Sequence, residues 1–285
     1  MKIDAHQHFW KYDPQRDSWI TDKMAVLRRD FGPEDLAPEL AANGMDATIA
    51  VQVVQSEEET SSLLALAEKS ARVAGVVGWV DFCDPGIEDR LRYFAQFPKL
   101  CGFRHIVQSE PDDRFLLRPE FVRGVRQLRQ FDYVYELLIY PRQLPAAVEF
   151  GHLLPEQKLV IDHLAKPEIK FQRKGNWENY IRAIAKNENI HCKVSGMVTE
   201  ADWKLWRSAD FQYYLDVVFD AFGPERLMFG SDWPVCLLAA SYRQVVQLVE
   251  DYVRSNLAAR FGDIFGANAM RFYSLKAART HGPAA

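Results

Sequence analysis

The fold class that this sequence predicts is α/β, a closed (β/α)8 barrel, and three observations predict it. Eight short runs rich in β-branched and apolar residues recur along the chain, segments of helical periodicity separate them, and no glycine-rich phosphate loop follows the first run. The last point argues against a doubly wound open sheet. Near-continuous apolar strands alternating with helices belong to a parallel sheet covered by helices, and eight such units in roughly 250 residues is the size of a TIM barrel.

In order, the runs are KIDAHQHF from Lys2, DATIAVQVV from Asp46, VAGVVGWVD from Val73, LCGFRHIV from Leu100, YVYELLIY from Tyr133, KLVIDHLA from Lys158, IHCKVSGM from Ile190 and RLMFGSDWP from Arg226. Helical spacing shows at Phe121, Val125 and Leu128 before the fifth run, and at Leu215, Val218, Phe219 and Phe222 before the eighth. Two helices are expected after the last strand. One lies around Val245, Leu248, Val249 and Tyr252, the other over 263–273 with Asp263 as its N-cap. Three connections are too long for plain turns: His8 to Pro38, with Phe9, Trp10, Tyr12 and Trp19; Gln108 to Pro119; and Lys166 to Trp177. No repeat, low-complexity segment or linker divides the chain, so one domain is expected over 1–275, with a disordered tail at 276–285.

The bulk composition narrows the function. The 285 residues are 48% hydrophobic and 26% charged, enough for a large core. A net charge of −4 without a basic stripe speaks against a nucleic-acid partner. No run approaches the ~18 apolar residues of a membrane span, and the start MKIDAHQHFW has no signal-peptide pattern, so a cytoplasmic location is expected. Cys83, Cys101, Cys192 and Cys236 lack CxxC spacing and read as small apolar residues.

In a (β/α)8 barrel the site forms at the C-terminal ends of the strands. Those ends carry His6 and His8, Gln52, Trp79 and Asp81, Arg104, Glu136, His163, Ser195 and Asp232. Polar groups there cost free energy unless paired or solvated, which points to a polar cavity. His6 and His8, two apart on one strand, share a face, with Asp4 expected beneath them on that face. His105, next to Arg104, should point the other way and pack. Arg104 could alternatively be a structural ion-pair partner of Glu136 or Asp81.

HxH closing the first strand, a later histidine at His163 and an aspartate closing the last strand at Asp232 together resemble the amidohydrolase superfamily. Within it, MKIDAHQHFW, the stretch Trp19 to Leu36, ELLIYPRQLP, VIDHLAKP, CKVSGMVTEADW and FGSDWPV are similar to the lactonase branch of L-fuconolactonase- and L-rhamnonolactonase-like proteins. The similarity runs from the first residue to about Tyr273.

That resemblance implies a hydrolase opening a small sugar lactone. Asp232 would be the general base on water, His6, His8 and His163 would line the site, and Arg104 would polarise the lactone carbonyl. Trp79, Glu136, Lys166, Gln52 and Trp233 would contact substrate. A lactone is already electrophilic, so a base and one or two oxyanion donors could suffice. Metal-using relatives add a bridging lysine or glutamate or a further histidine. Here the fifth strand offers Glu136, the seventh ends in Ser195, and His191 sits at the wrong end. No required cofactor is therefore expected, although one zinc on His6, His8, His163 and Asp232 is stereochemically reasonable. The alternatives are a zinc-dependent amidohydrolase or decarboxylase, and a sugar-acid binding protein without turnover.

Overall fold

The computed structural model of the protein describes residues 1–275, and the tail expected at 276–285 lies outside the described residues. The eight runs become β1 (Ile3–Gln7), β2 (Ala47–Val51), β3 (Val73–Gly78), β4 (Leu100–His105), β5 (Val134–Leu137), β6 (Leu159–Ile161), β7 (Ile190–Val194) and β8 (Leu227–Phe229). They pair in parallel in sequence order. Gln7 bridges to Trp233 across the last seam, where Asp232 N–H donates to the His6 carbonyl at 2.8 Å and His8 N–H to the Trp233 carbonyl at 2.7 Å. The seam that closes the (β/α)8 barrel thereby sets Asp232 beside both histidines.

Strand alternation divides the core into two layers. Ile3, Ala5, Ile49, Val51, Val77, Val134, Val160 and Met228 fill the barrel from inside, where Phe272 and Tyr273 of the C-terminal helix join them. Outward residues such as Phe103, Tyr135, Leu137 and Phe229 pack under the helices. Cys101, Cys192 and Cys236 are buried and Cys83 half-buried, all as free thiols. No helix among the described residues is long and apolar enough to cross a membrane.

Three expectations need correction. The strands are shorter than their apolar runs, so His8, His163 and Asp232 stand in the first turn beyond a strand rather than on it. Asp4 does not lie under the histidines. Between Asp4 and Gln7 the pairing with β2 slips by one residue, a bulge that breaks the alternation. Asp4 consequently turns toward the helical layer, accepting from Ser231 Oγ at 2.6 Å and from Tyr242 Oη at 3.0 Å, while His6 turns inward. Finally, Asp263 is not an N-cap. It sits inside a π-turn, Asp263–Ala267, which precedes the helix Asn268–Phe272. A side chain at Gly266 would meet the Met1 carbonyl, so the chain crosses there in close contact.

The long connection after β1 folds over the mouth as an aromatic cluster. Trp10 meets Phe31 edge-on at 5.2 Å, Phe31 meets Trp233 at 5.2 Å and Phe9 meets Trp233 at 6.2 Å. Trp10 is core and Trp19 is its exposed edge.

Candidate active site

Three ligand-type atoms from the two ends of the chain converge at the closing seam. His6 Nε2 is 3.2 Å from His8 Nε2, His8 Nε2 is 3.3 Å from Asp232 Oδ1, and His6 Nε2 is 3.8 Å from the same oxygen. Zinc bonds of ~2.0–2.1 Å in a tetrahedron put adjacent ligands ~3.3–3.4 Å apart. The triangle therefore has about the spacing that three donors of a tetrahedral zinc site would need. His163 Nε2 borders it, 3.8 Å from Asp232 Oδ1.

The outer nitrogens fix how these rings are presented. His8 Nδ1 is 2.8 Å from the Val51 carbonyl, which can only accept, so Nδ1 carries a proton and Nε2 is the nitrogen turned toward Asp232. His163 Nδ1 meets Ser195 Oγ at 2.9 Å. His6 Nε2 faces Arg104 Nη1 at 3.3 Å, and a guanidinium cannot accept, so this nitrogen presents its lone pair. His6 Nδ1 lies between Lys193 Nζ at 3.0 Å, which can only donate, and Asp162 Oδ1 at 3.3 Å, which can only accept.

Beneath the triangle lies a dry layer of charge. Lys193 Nζ is 2.6 Å from Glu136 Oε1, 3.2 Å from Asp162 Oδ1 and 3.0 Å from His6 Nδ1, and all four side chains are fully buried. Tyr273 donates to Glu136 from below, so the C-terminal helix reaches into this layer. Sequence reasoning passed over Lys193 and Asp162. The available signal was an ionisable residue inside each apolar run, which in a parallel sheet must find a buried partner.

The other expected site residues divide. Arg104 reaches the site, but Nη1 donates to Asp162 Oδ2 at 3.1 Å and Nη2 to the Gln52 carbonyl, so its ion-pair partner is neither Glu136 nor Asp81. Gln52 braces this arginine, its Nε2 donating to the Arg104 carbonyl at 3.1 Å. Glu136, expected at substrate, lies one layer deeper and is closed off from the mouth. Trp79 donates its indole N–H to His105 Nδ1 at 3.3 Å, and His105 stacks on Phe115 outside the barrel. Trp233 is buried in the aromatic roof. Lys166 does line a cavity of about 950 Å³ at the mouth, together with Tyr140, Glu200 and Trp203. The short helix Met197–Glu200 after β7 brings in Glu200, which sequence reasoning also missed.

Backbone strain concentrates at this rim. His163, Leu164, Ala165 and Lys166 have φ of 55°, 54°, 57° and 50°, and Asp232 has 57°. A left-handed residue other than glycine costs ~1–2 kcal/mol, so the surroundings must hold the four-residue turn. Leu164 and Ala165 are fully buried, and Trp177 Nε1 donates to the Leu164 carbonyl at 2.8 Å. A Cβ at Gly196 would fall 2.3 Å from His163 Nδ1, so only glycine leaves room for the ring. The turn sends His163 toward the triangle and Lys166 toward the cavity.

Electrostatics follow from burial. The His163 imidazole is pushed down to about 4 by burial, although Asp232 and Asp162 oppose this. His6 is likewise lowered, by burial and then by the Lys193 charge. Burial would raise Asp232, but His163, the hydrogen bond with His8 and His6 outweigh it and hold this carboxylate well below its usual range. Burial, with Asp162 adding, pushes Glu136 up to about 7 against Lys193. The site thus presents neutral His6 and His163 rings around an ionised carboxylate, a donor set suited to a divalent metal.

Known proteins resemble this chain over nearly its whole length. A family model described as amidohydrolase matches residues 3–275. An L-fucono-1,5-lactonase from Burkholderia multivorans is 44% identical over 96% of both chains, and one from Burkholderia ambifaria is 35% identical over 96% of both. The crystal structure of an amidohydrolase from Burkholderia multivorans with bound zinc superposes with a TM-score of 0.91. It is 43% identical and covers 97% of this chain and all of that one. The expectation that no cofactor is required is therefore corrected: so similar a relative holds zinc, and His6, His8 and Asp232 form a group fit for a metal ion. A bridging lysine or further strand-end histidine matters for a second metal pocket, which a single-ion triangle does not need.

Proposed function

The chain belongs to the amidohydrolase family, and on that premise we propose that it is a lactonase opening a sugar lactone of the L-fucono or L-rhamnono kind to the aldonic acid. The observation that carries this reading is the convergence of His6, His8, His163 and Asp232 beside a buried Arg104, with His163 three residues along the chain from Lys166 in the wall of the cavity. Zinc held by His6, His8 and Asp232 would supply positive charge to polarise the lactone carbonyl.

Asp232 is ionised at working pH and stands just beyond β8 beside the histidines, so it can take the proton of the attacking water. That proton then passes to the ring oxygen as the acyl bond breaks, leaving carboxylic acid and free hydroxyl in balance with one water consumed. Arg104, fixed by Asp162 and Gln52, puts a permanent positive charge beside the place where oxyanion charge grows. His163, neutral and oriented by Ser195, offers Nε2 to the same space. The buried Lys193–Glu136–Asp162 layer orients His6 from beneath.

The test is acid release from L-fucono-1,5-lactone and L-rhamnono-lactones in a weakly buffered indicator assay. Release well above the spontaneous rate is expected; release at the spontaneous rate from every sugar lactone would refute the reading.

A further inference from the structure

At the rim, Lys166 and Glu200 face each other across the cavity with Nζ and Oε1 3.8 Å apart, beyond hydrogen-bond range. Neither side chain makes a hydrogen bond to any described residue, yet both are largely sheltered, at 17% and 23% exposure. Charged groups so sheltered normally engage a partner. The strained turn holds Lys166 in place from one side, and the helix Met197–Glu200 holds Glu200 from the other. Tyr140 lies under the lysine, its ring 5.5 Å from Nζ, and Trp203 adds a second aromatic wall.

Resting on the lactonase reading, we propose that Lys166 and Glu200 form a subsite for a vicinal diol of the substrate ring and so select polyhydroxylated lactones over bare ones. An ammonium only donates and a carboxylate only accepts, whereas a hydroxyl does both. Two adjacent hydroxyls, one accepting from Lys166 and one donating to Glu200, fill the gap that the pair leaves and satisfy both charges. An alkyl ring leaves both unsatisfied. A second carboxylate on the ligand is repelled by Glu200 and, behind it, Asp232, whose charge already bears on Glu200. Aromatic walls beside such a donor and acceptor suit the apolar faces of a pyranose-like ring.

The experiment compares L-fucono-1,5-lactone with δ-valerolactone, the same ring without hydroxyls, for the wild type, Glu200→Gln and Lys166→Met. The wild-type preference in kcat/KM for the sugar lactone should fall ~10–100-fold in each variant, mainly through KM, as expected for a lost hydrogen bond to a charged group. In parallel, ligand-detected NMR measures binding of L-fucose, an unreactive pyranose. Binding weakened at least tenfold in both variants supports the subsite. An unchanged preference in both variants, or L-fucose binding that is absent from the wild type or equal in all three proteins, overturns it. Should neither lactone be hydrolysed, the lactonase reading fails, while the NMR result still decides on the diol subsite.

Discussion

Two lysine–glutamate pairs of the barrel, Lys193–Glu136 in the floor and Lys166–Glu200 at the rim, behave as different objects. Lys193 and Glu136 are fully buried and 2.6 Å apart, with Asp162 and His6 beside the lysine and Tyr273 donating to the glutamate. Lys166 and Glu200 are part-exposed, 3.8 Å apart and bonded to nothing else described. Residue type is the same in both, so depth and contact distance decide the role. A closed pair is scaffold under the chemistry, since breaking it leaves a buried charge; an open pair at a cavity wall has its interactions still to make. Asp232 stands between the two, near enough to the floor to be fixed and near enough to the mouth to meet water.

Variants can sharpen this contrast. The largest effect is expected at the junction. Asp232→Asn keeps the volume but cannot accept the proton, so kcat should fall ~10²–10⁴-fold with the fold retained, checked by steady-state kinetics beside circular dichroism. Near-normal turnover would remove Asp232 from the base role. In the floor, Lys193→Met leaves Glu136 and Asp162 without their buried cation and should cost ~3–5 kcal/mol in urea unfolding, part of which Glu136→Gln should restore. The matching rim change, Lys166→Met, should move stability by less than ~1 kcal/mol. Equal losses at the two lysines would break the contrast.

Arg104→Met should lower kcat by ~10–10³-fold, and Arg104→Lys by less. Unchanged kinetics would return the arginine to a purely structural role. The smallest effect concerns pH. His163 is kept neutral when folded, at about 4, whereas in the unfolded chain it binds a proton near 6.5. Its lowered value means that metal-free protein loses stability as pH falls from about 6.5 to about 4, because the unfolded chain takes up the proton first. His163→Asn lacks that contribution. The stability difference between wild type and variant should therefore shift toward the variant by ~1–3 kcal/mol between pH 7 and pH 4. A difference independent of pH would contradict this.

Much of the fold was legible because each parallel strand leaves a run of β-branched apolar residues, and KIDAHQHF through RLMFGSDWP map onto β1 to β8 in register with their cores. His6, His8, His163 and Asp232 were legible for a related reason: polar groups at the ends of apolar runs must share a cavity. Asp4 was misplaced because a one-residue bulge has no mark in IDAHQ. Glu136 was placed at the mouth because strand alternation gives a side chain's face but not its depth. Glu200 escaped notice because a four-residue helix carries too little periodicity to show which way it points. Lys193 could have been read: a lysine within IHCKV cannot face an apolar core without a counter-charge, and Glu136 on β5 and Asp162 just after β6 are the acidic residues of the two preceding runs.

The central claim is that His6, His8 and Asp232 form one metal-holding triangle, and zinc titration against a chromophoric chelator tests it most directly. Metal-stripped wild type should take up one zinc per chain, and His8→Gln and Asp232→Asn should each weaken that binding at least ~100-fold, while Lys166→Met leaves it unaltered. Zinc bound equally well by His8→Gln and Asp232→Asn, or not bound by the wild type at all, would contradict the account.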